Sequence, residues 1–233
     1  MRNELNMDRR RFLSGGLAAA AAPFIVPSSV LAGSGETPPS DKVVLAGIGV
    51  GRRGGQLINM FRHMDGADVA AVADVDRKRG KKVASWVDGD AYQDYRRVLD
   101  RDDVDAIVTA TPDHWRALVT IHACQAGKDV YAEKPMTLTV AEGRKMAKAA
   151  QKYDIVWQTG SQQRSIAANC RACELIRNGR LGTIKKIIAR NYPSPWEYGM
   201  EGQEIPDRLD WNTWCGPVGE VLYHRQLEAP RGK

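Results

Sequence analysis

The sequence contains few cysteines, which argues against a zinc site and against a redox site. There are four cysteines in 233 residues, and only Cys170 and Cys173 are close together. A cysteine-based zinc site needs a second close pair, which Cys124 and Cys215 do not form in the sequence. We therefore predict no metal site. We interpret Cys170 and Cys173 as residues on a buried helix face, with a redox function as the alternative.

The sequence also lacks a stripe of basic residues interleaved with aromatic ones. Its net charge is +6, but the lysines and arginines are scattered among acidic residues. Surfaces that bind nucleic acids concentrate positive charge on one face. This distribution argues against nucleic acid as a partner and favours a solvated, weakly positive surface.

The apolar, alanine-rich run over residues 17–26 is too short to span a bilayer. Arg9 and Arg10 precede it, and small residues ending at Ala32 follow it. This order is typical of a signal peptide, and the paired arginines resemble the twin-arginine signal that exports folded proteins. We expect residues 1–32 to be that signal, the protein to be periplasmic, and membrane contact to occur only during export. A retained signal anchor is the alternative.

The rest of the chain alternates between strand-like and helix-like patterns. Residues 33–41 are rich in Gly, Ser and Pro and are predicted to be a linker. Strands are predicted over 42–48, 69–73, 105–110, 129–132 and 155–158, and helices over 56–64, 116–125 and 140–152. Thr139 and Glu142 have capping-box spacing for the last helix. We predict an α/β fold with a doubly wound parallel sheet, a Rossmann domain over 42–158.

A glycine-rich loop lies between the first strand and the first helix. Gly49 permits the tight turn, Gly51 lets the backbone approach a pyrophosphate, and Gly54 allows the helix to pack closely on the strand. The free N–H groups of the helix then face the anion. Arg52 and Arg53 lie within this loop, so all five residues are predicted to bind the cofactor.

Asp74 follows the second strand, twenty positions after Gly54. At that spacing an acidic residue reaches the hydroxyls of the adenosine ribose. Asp74 would bind the hydroxyls of NAD and repel the 2′-phosphate of NADP. Because Arg52, Arg77 or Lys78 could pair with such a phosphate, the predicted cofactor is NAD and NADP stays open.

Three further motifs follow later strands: Thr111-Pro112-Asp113, Glu133-Lys134-Pro135 and Gly160-Ser161-Gln162-Gln163-Arg164. With the glycine loop, they resemble the glucose–fructose oxidoreductase, inositol dehydrogenase and rhizopine-catabolism family (Gfo/Idh/MocA). The resemblance covers nearly everything after the linker. It implies a tightly bound NAD(P), hydride transfer at a secondary hydroxyl of a sugar or polyol, and a homo-oligomer when full length.

The resemblance also assigns functions to individual residues. Lys134 would be the catalytic residue beside the nicotinamide, where an ammonium group can hydrogen-bond a substrate oxygen and relay a proton. Glu133 would contact the nicotinamide ribose, and Thr111, Pro112 and Asp113 would also bind the cofactor. A cis bond is expected before Pro135. Three residues are candidate substrate contacts: His114, Gln162 and Arg164.

The sequence departs from the family pattern in two places. Arg116 stands where members commonly carry a histidine, and no Asp-x-x-x-His follows Lys134 before the chain ends at Lys233. We therefore expect residues 159–233 to be the start of a truncated α+β domain for substrate binding or oligomerisation. It would contain a helix over 171–178 and a strand over 183–190, with three poorly buried tryptophans: Trp196, Trp211 and Trp214.

Two alternatives to a polyol oxidoreductase remain. An NAD-assisted glycosidase would borrow and return a hydride, so that its reaction has no net redox change. A truncated fragment would bind the cofactor and have no activity.

Overall fold

The computed structural model describes residues 37–190 and 199–228. The predicted signal peptide, residues 33–36 of the predicted linker and Trp196 lie outside the described residues. The described part begins with a short 3₁₀ helix at Pro39–Asp41, the last residues of the predicted linker. Within these two ranges, no helix combines the length and the apolar character needed to cross a membrane.

Six parallel strands form one sheet, which confirms the predicted doubly wound α/β fold. Their order across the sheet is β3-β2-β1-β4-β5-β6. Strand β2 lies on one side of β1 and strand β4 lies on the other. The connections after β1 and after β4 therefore diverge, and a crevice opens at the carboxyl end of β1. The strands are β1 Val43–Ile48, β2 Ala67–Ala73, β3 Asp90–Tyr92, β4 Ala106–Thr109, β5 Asp129–Ala132 and β6 Trp157–Thr159.

Seven α-helices accompany the sheet among the described residues: α1 Arg52–Phe61, α2 Arg77–Ala84, α3 Arg96–Leu99, α4 Asp113–Gln125, α5 Val140–Lys152, α6 Ala167–Arg177 and α7 Trp211–Cys215. Helix α5 has the predicted bounds, and Thr139 and Glu142 form the predicted capping box. Helix α1 begins four residues earlier than predicted because Gly54 and Gly55 are already helical. The cofactor loop is therefore shorter than the motif.

Two apolar clusters cover the two faces of the sheet, because successive residues of a strand point to opposite faces. Ile107 packs in one cluster with Val119 of α4. The next residue, Val108, packs in the other with Ile58 of α1. With both faces covered, the carboxyl ends of the strands are the open edge where polar side chains gather.

The predictions for the region after β6 were wrong in three respects. Residues 183–190 form no strand and are exposed, with Ile187 at 83%. A strand needs a hydrogen-bonded neighbour, and among the described residues none lies alongside this segment. Cys170 and Cys173 are exposed, because α6 packs chiefly on the neighbouring 3₁₀ turn Gln162–Ser165. Trp211 is only 3% exposed, since it packs in a small apolar cluster with Leu209.

Candidate functional site

The turn between β1 and α1 requires two of its glycines. Gly49 has a φ of +73°, and a Cβ there would lie 2.8 Å from Cγ2 of Thr111. A Cβ on Gly54 would lie 2.1 Å from the carbonyl oxygen of Gly49. Gly51 precedes α1 and has no side chain that could cap it. The first N–H groups of α1 are therefore left to bind a ligand, and a helix N-terminus favours an anion.

A cavity of about 400 Å³ lies at the carboxyl ends of β1, β2 and β4. This volume falls within the usual range for cofactor and small-molecule sites. Seven of the predicted cofactor-binding residues line it: Gly49, Gly51, Arg52, Arg53, Asp74, Thr111 and Pro112. Gly54 lies against the backbone of Gly49 and does not line the cavity. Asp113, Glu133 and Lys134 do not line it either.

Asp74 lies in the wall of the cavity and is 5% exposed. Its Oδ1 accepts hydrogen bonds from the backbone N–H of Asp76 at 2.9 Å and from Nη1 of Arg79 at 3.1 Å. Burial raises the pKa of Asp74 above its ordinary value of 3.8, and the positive charge of Arg79 opposes this rise. The predicted ribose-binding acid is thus present, but it is already paired.

The arginine beside Asp74 is not one of those that the sequence pattern singled out. Asp76 caps the N-terminus of α2, and the first turn of that helix brings Arg79 back over the end of β2. Arg77 instead donates from Nη2 to the carbonyl oxygen of Asp207 at 2.7 Å. Lys78 is not among the residues that line the cavity. The sequence signal that could have identified the Asp74–Arg79 pair was the position of Arg79 in the first turn of a helix that Asp76 caps.

Glu133 is buried at the end of β5 and bridges two parts of the site. Its Oε1 accepts a hydrogen bond from Nε of Arg53 at 2.6 Å, and its Oε2 accepts one from the backbone N–H of Lys134 at 3.0 Å. A Cβ on Gly160 would lie 3.1 Å from Cδ of Glu133, so a side chain there would crowd this pair. Lys134 itself is exposed, and its bond to Pro135 is cis, as predicted.

Arg116, noted in the sequence only as a departure from the family pattern, connects two loops of the site. Its guanidinium is buried and donates to the carbonyl oxygens of Thr111, at 2.5 Å, and of Pro135. It also pairs with Asp113 at 3.2 Å. Burial lowers the pKa of Arg116 below its ordinary value. Arg116 therefore ties the loop after β4 to the loop that carries Lys134.

The three candidate substrate residues are not brought into the cavity. Nε2 of His114 lies 2.9 Å from the carbonyl oxygen of Trp214, and the two rings meet edge to face. Gln162 and Arg164 are exposed on the 3₁₀ turn after β6. Their functions in substrate binding stay predictions.

The described residues contain no group of His, Cys, Asp or Glu arranged to hold a metal ion.

The far wall of the cavity comes from residues 207–228, which sequence patterns did not connect with the site. Leu209 forms an antiparallel bridge with Asp76. Nε1 of Trp115 donates to the carbonyl oxygen of Thr213 at 2.8 Å, and its ring lies where a Cβ on Gly216 would be. Five residues of this segment line the cavity: Leu209, Thr213, Trp214, Leu227 and Glu228.

These features fit a nicotinamide dinucleotide. The glycine turn offers backbone N–H groups to a pyrophosphate, and Asp74 lies one strand away, where an adenosine ribose would be. The space that side chains on Gly49 and Gly54 would fill is occupied by Thr111 and by the backbone of Gly49, which keeps the turn tight. The residues that line the cavity thus fit a dinucleotide, and the contact of each predicted residue with the cofactor stays a prediction.

Comparisons with known proteins identify the family and the fold. The family described as an oxidoreductase family with an NAD-binding Rossmann fold, Gfo/Idh/MocA, matches residues 42–161. Myo-inositol 2-dehydrogenase from Lactobacillus plantarum is 26% identical, with a TM-score of 0.58, over 61% of this chain and 43% of that structure. A structure of GenD2 from gentamicin A biosynthesis in complex with NAD gives a TM-score of 0.59 at 24% identity, over 62% of this chain and 42% of that one.

Curated relatives include enzymes named for another reaction. A glycosyl hydrolase family 109 protein from Shewanella pealeana is 28% identical over 76% of this chain and 41% of its own length. An alpha-N-acetylgalactosaminidase from Shewanella oneidensis is 31% identical over 70% of this chain and 35% of its own. The chain spans less than half the length of these two relatives. Because the family match covers more than half of the chain, this protein belongs to the Gfo/Idh/MocA oxidoreductase family and has its NAD-binding Rossmann fold.

Proposed function

We propose that the protein is an NAD(P)-dependent oxidoreductase that acts at a secondary hydroxyl of a sugar or polyol. The observation that carries this proposal is the order of groups along one edge of the sheet. Asp74 follows β2, the glycine turn follows β1, Thr111 follows β4 and Lys134 follows β5. With neighbouring strands about 4.8 Å apart, these groups extend over about 14 Å, in the order adenosine, pyrophosphate, nicotinamide.

Lys134 is the residue that we propose for the chemistry. When bound, the nicotinamide ring would supply the hydride acceptor for a substrate alcohol. The exposed ammonium of Lys134 would hydrogen-bond the substrate hydroxyl and take up or relay its proton. Arg116 would hold the loop of Lys134 against the loop of Thr111, and Glu133 would hold Arg53 beside the pyrophosphate.

An NAD-assisted glycosidase is the second candidate. It is favoured by the names of two curated relatives, a family 109 glycosyl hydrolase and an alpha-N-acetylgalactosaminidase. The same cofactor site and the same lysine would serve both reactions, because each begins with oxidation of a sugar hydroxyl, in which the carbon loses a hydride and the hydroxyl oxygen loses a proton.

Product analysis separates these candidates. The purified protein is incubated with NAD or NADP and with a panel of polyols, free sugars and N-acetylhexosaminides. Accumulation of reduced nicotinamide with a polyol or free sugar supports the oxidoreductase. Glycoside cleavage without accumulated NADH supports the glycosidase. Retained NAD binding without turnover of any compound would leave only a cofactor-binding function.

We also propose export by the twin-arginine route, with the cofactor bound before export. The support is the arrangement of Arg9, Arg10, the apolar run and Ala32 in the sequence. A ligand that binds only the folded state stabilises it, which would help a folded cargo. Changing both arginines to lysine should abolish export, with cytoplasmic abundance as the control. Unimpaired export of the double variant would contradict the twin-arginine route. In a separate measurement, purified exported protein should retain its cofactor through dialysis.

A further inference from the structure

A chain of ion pairs joins the ribose end of the cavity to the C-terminal segment. Nη1 of Arg208 lies 2.6 Å from Oδ2 of Asp76, and Nη2 of the same guanidinium lies 3.2 Å from the carboxylate of Glu228. The hydroxyl of Tyr223 donates to Oε1 of Glu228 at 2.5 Å. The side chain of Glu228 is only 11% exposed. Its carboxylate is therefore held in place by two donors of its own segment.

Glu228 lines the same cavity as Asp74 and Arg79. Asp76 connects them, because its N–H binds Asp74 while its carboxylate lies between the guanidinium groups of Arg79 and Arg208. Three carboxylates, of which those of Asp74 and Glu228 line the cavity, thus pair with two guanidinium groups in this chain of ion pairs. Together these five groups carry one excess negative charge, and both arginines are already paired.

This charge balance discriminates between the two forms of the cofactor. The adenosine ribose of NAD carries a neutral 2′-hydroxyl, which can donate a hydrogen bond to a carboxylate. The 2′-phosphate of NADP would add almost two negative charges beside a group of ion pairs that already carries one excess negative charge. Without the charge of Glu228, the carboxylates and guanidinium groups would balance, and Arg208 would gain a free donor for a phosphate oxygen.

We infer that Glu228 is a second specificity-determining residue of the dinucleotide site, which together with Asp74 excludes the 2′-phosphate of NADP. This inference rests on the proposed function, because it requires a dinucleotide in the cavity. It extends the specificity element beyond the end of β2 to a segment about 150 residues further along the chain.

Dissociation constants for NAD and NADP, measured by titration calorimetry on the full chain, test this assignment. Glu228→Gln should tighten NADP binding about tenfold and leave NAD binding within about twofold, because one unfavourable charge interaction is removed. Glu228→Asp keeps the charge and should keep the preference for NAD. Glu220→Gln is the matched control, since Glu220 is an exposed acid of the same segment that does not line the cavity.

The unchanged protein provides a second measurement if the glutamine variant does not fold. Salt screens the repulsion of the 2′-phosphate, so the ratio of the NADP to the NAD dissociation constant should fall as ionic strength rises. A ratio that rises with salt would overturn the inference, as would equal changes for both cofactors in Glu228→Gln or a lost preference in Glu228→Asp. Failure of the unchanged protein to bind either dinucleotide would overturn the proposed function as well. Binding of NAD with an unaltered preference in Glu228→Gln overturns the inference alone.

Discussion

Nη1 of Arg79 lies 3.1 Å from Oδ1 of Asp74, so the acid at the end of β2 is paired with an arginine five positions further along the chain. The pair is located where an adenosine ribose would bind. Asp74 is almost fully buried, whereas the side chain of Arg79 keeps 28% of its exposure. Both residues line the cavity, so a 2′-phosphate bound there would meet both charges.

Removal of the Asp74 carboxylate should weaken NAD binding far more than NADP binding. Asp74→Ala deletes a charged acceptor for the ribose hydroxyls of NAD, worth about 1.5–3 kcal/mol, or roughly a tenfold to hundredfold loss of affinity. For NADP, the same change removes a repulsion and frees Arg79. Calorimetric titration with both cofactors measures the effect. Asp65→Ala, at an exposed acid after α1, is the control, and equal losses for both cofactors would contradict the assignment.

The raised pKa of Asp74 predicts a pH dependence of cofactor binding. The ionised carboxylate is the form that accepts both ribose hydroxyls. Since burial raises the pKa of Asp74 above 3.8, protonation begins at a higher pH than for an exposed aspartate, and NAD affinity should fall there as the pH is lowered. Asp74→Asn should bind NAD weakly, without this dependence. Titrations from about pH 7 down to about pH 4 test the prediction, which fails if both proteins show the same profile.

A methyl group on Gly54 should disrupt the cofactor turn. In Gly54→Ala the new Cβ would lie 2.1 Å from the carbonyl oxygen of Gly49, a contact that only a backbone shift can relieve. We expect a loss of about 2 kcal/mol or more in the free energy of unfolding, a Tm lowered by about 4–8 °C, and strongly weakened NAD binding. Gly66→Ala is the control, because a Cβ at Gly66 meets nothing within 4 Å. Equal melting temperatures for the two variants would refute this account.

Loss of the ammonium of Lys134 should reduce turnover without preventing cofactor binding. Lys134→Met retains most of the side-chain volume and removes the group that exchanges a proton, so the rate should fall by about 10²–10⁴-fold. The measurement is kcat on the substrate identified by product analysis, with NAD affinity determined in parallel. Lys145→Met, at an exposed position on α5, should leave both values unchanged. A methionine variant at position 134 with full activity would exclude a proton-transfer function.

Sequence reasoning was reliable where structure depends on neighbours in the chain. The capping box of Thr139 and Glu142 satisfies its own helix N-terminus, so its spacing alone predicted it. The glycine turn was recognised from the spacing of Gly49, Gly51 and Gly54 between a strand and a helix, and Gly49 adopts the positive φ that glycine favours. Burial was less predictable. Cys170 and Cys173 have the spacing of a buried helix face, but burial depends on what packs against that face.

The sequence by itself determined the parallel α/β sheet, the glycine turn between β1 and α1 and the acid at the end of β2, because each arises from a local pattern of apolar, glycine and acidic residues. Only the tertiary structure decided which charged groups from distant parts of the chain become partners. The pairing of Arg53 with Glu133, the anchoring of two loops by Arg116, and the closure of the cavity by residues 207–228 all join segments distant in the chain. Such contacts depend on how helices and loops pack at the open edge of the sheet, which spacing along the chain does not encode.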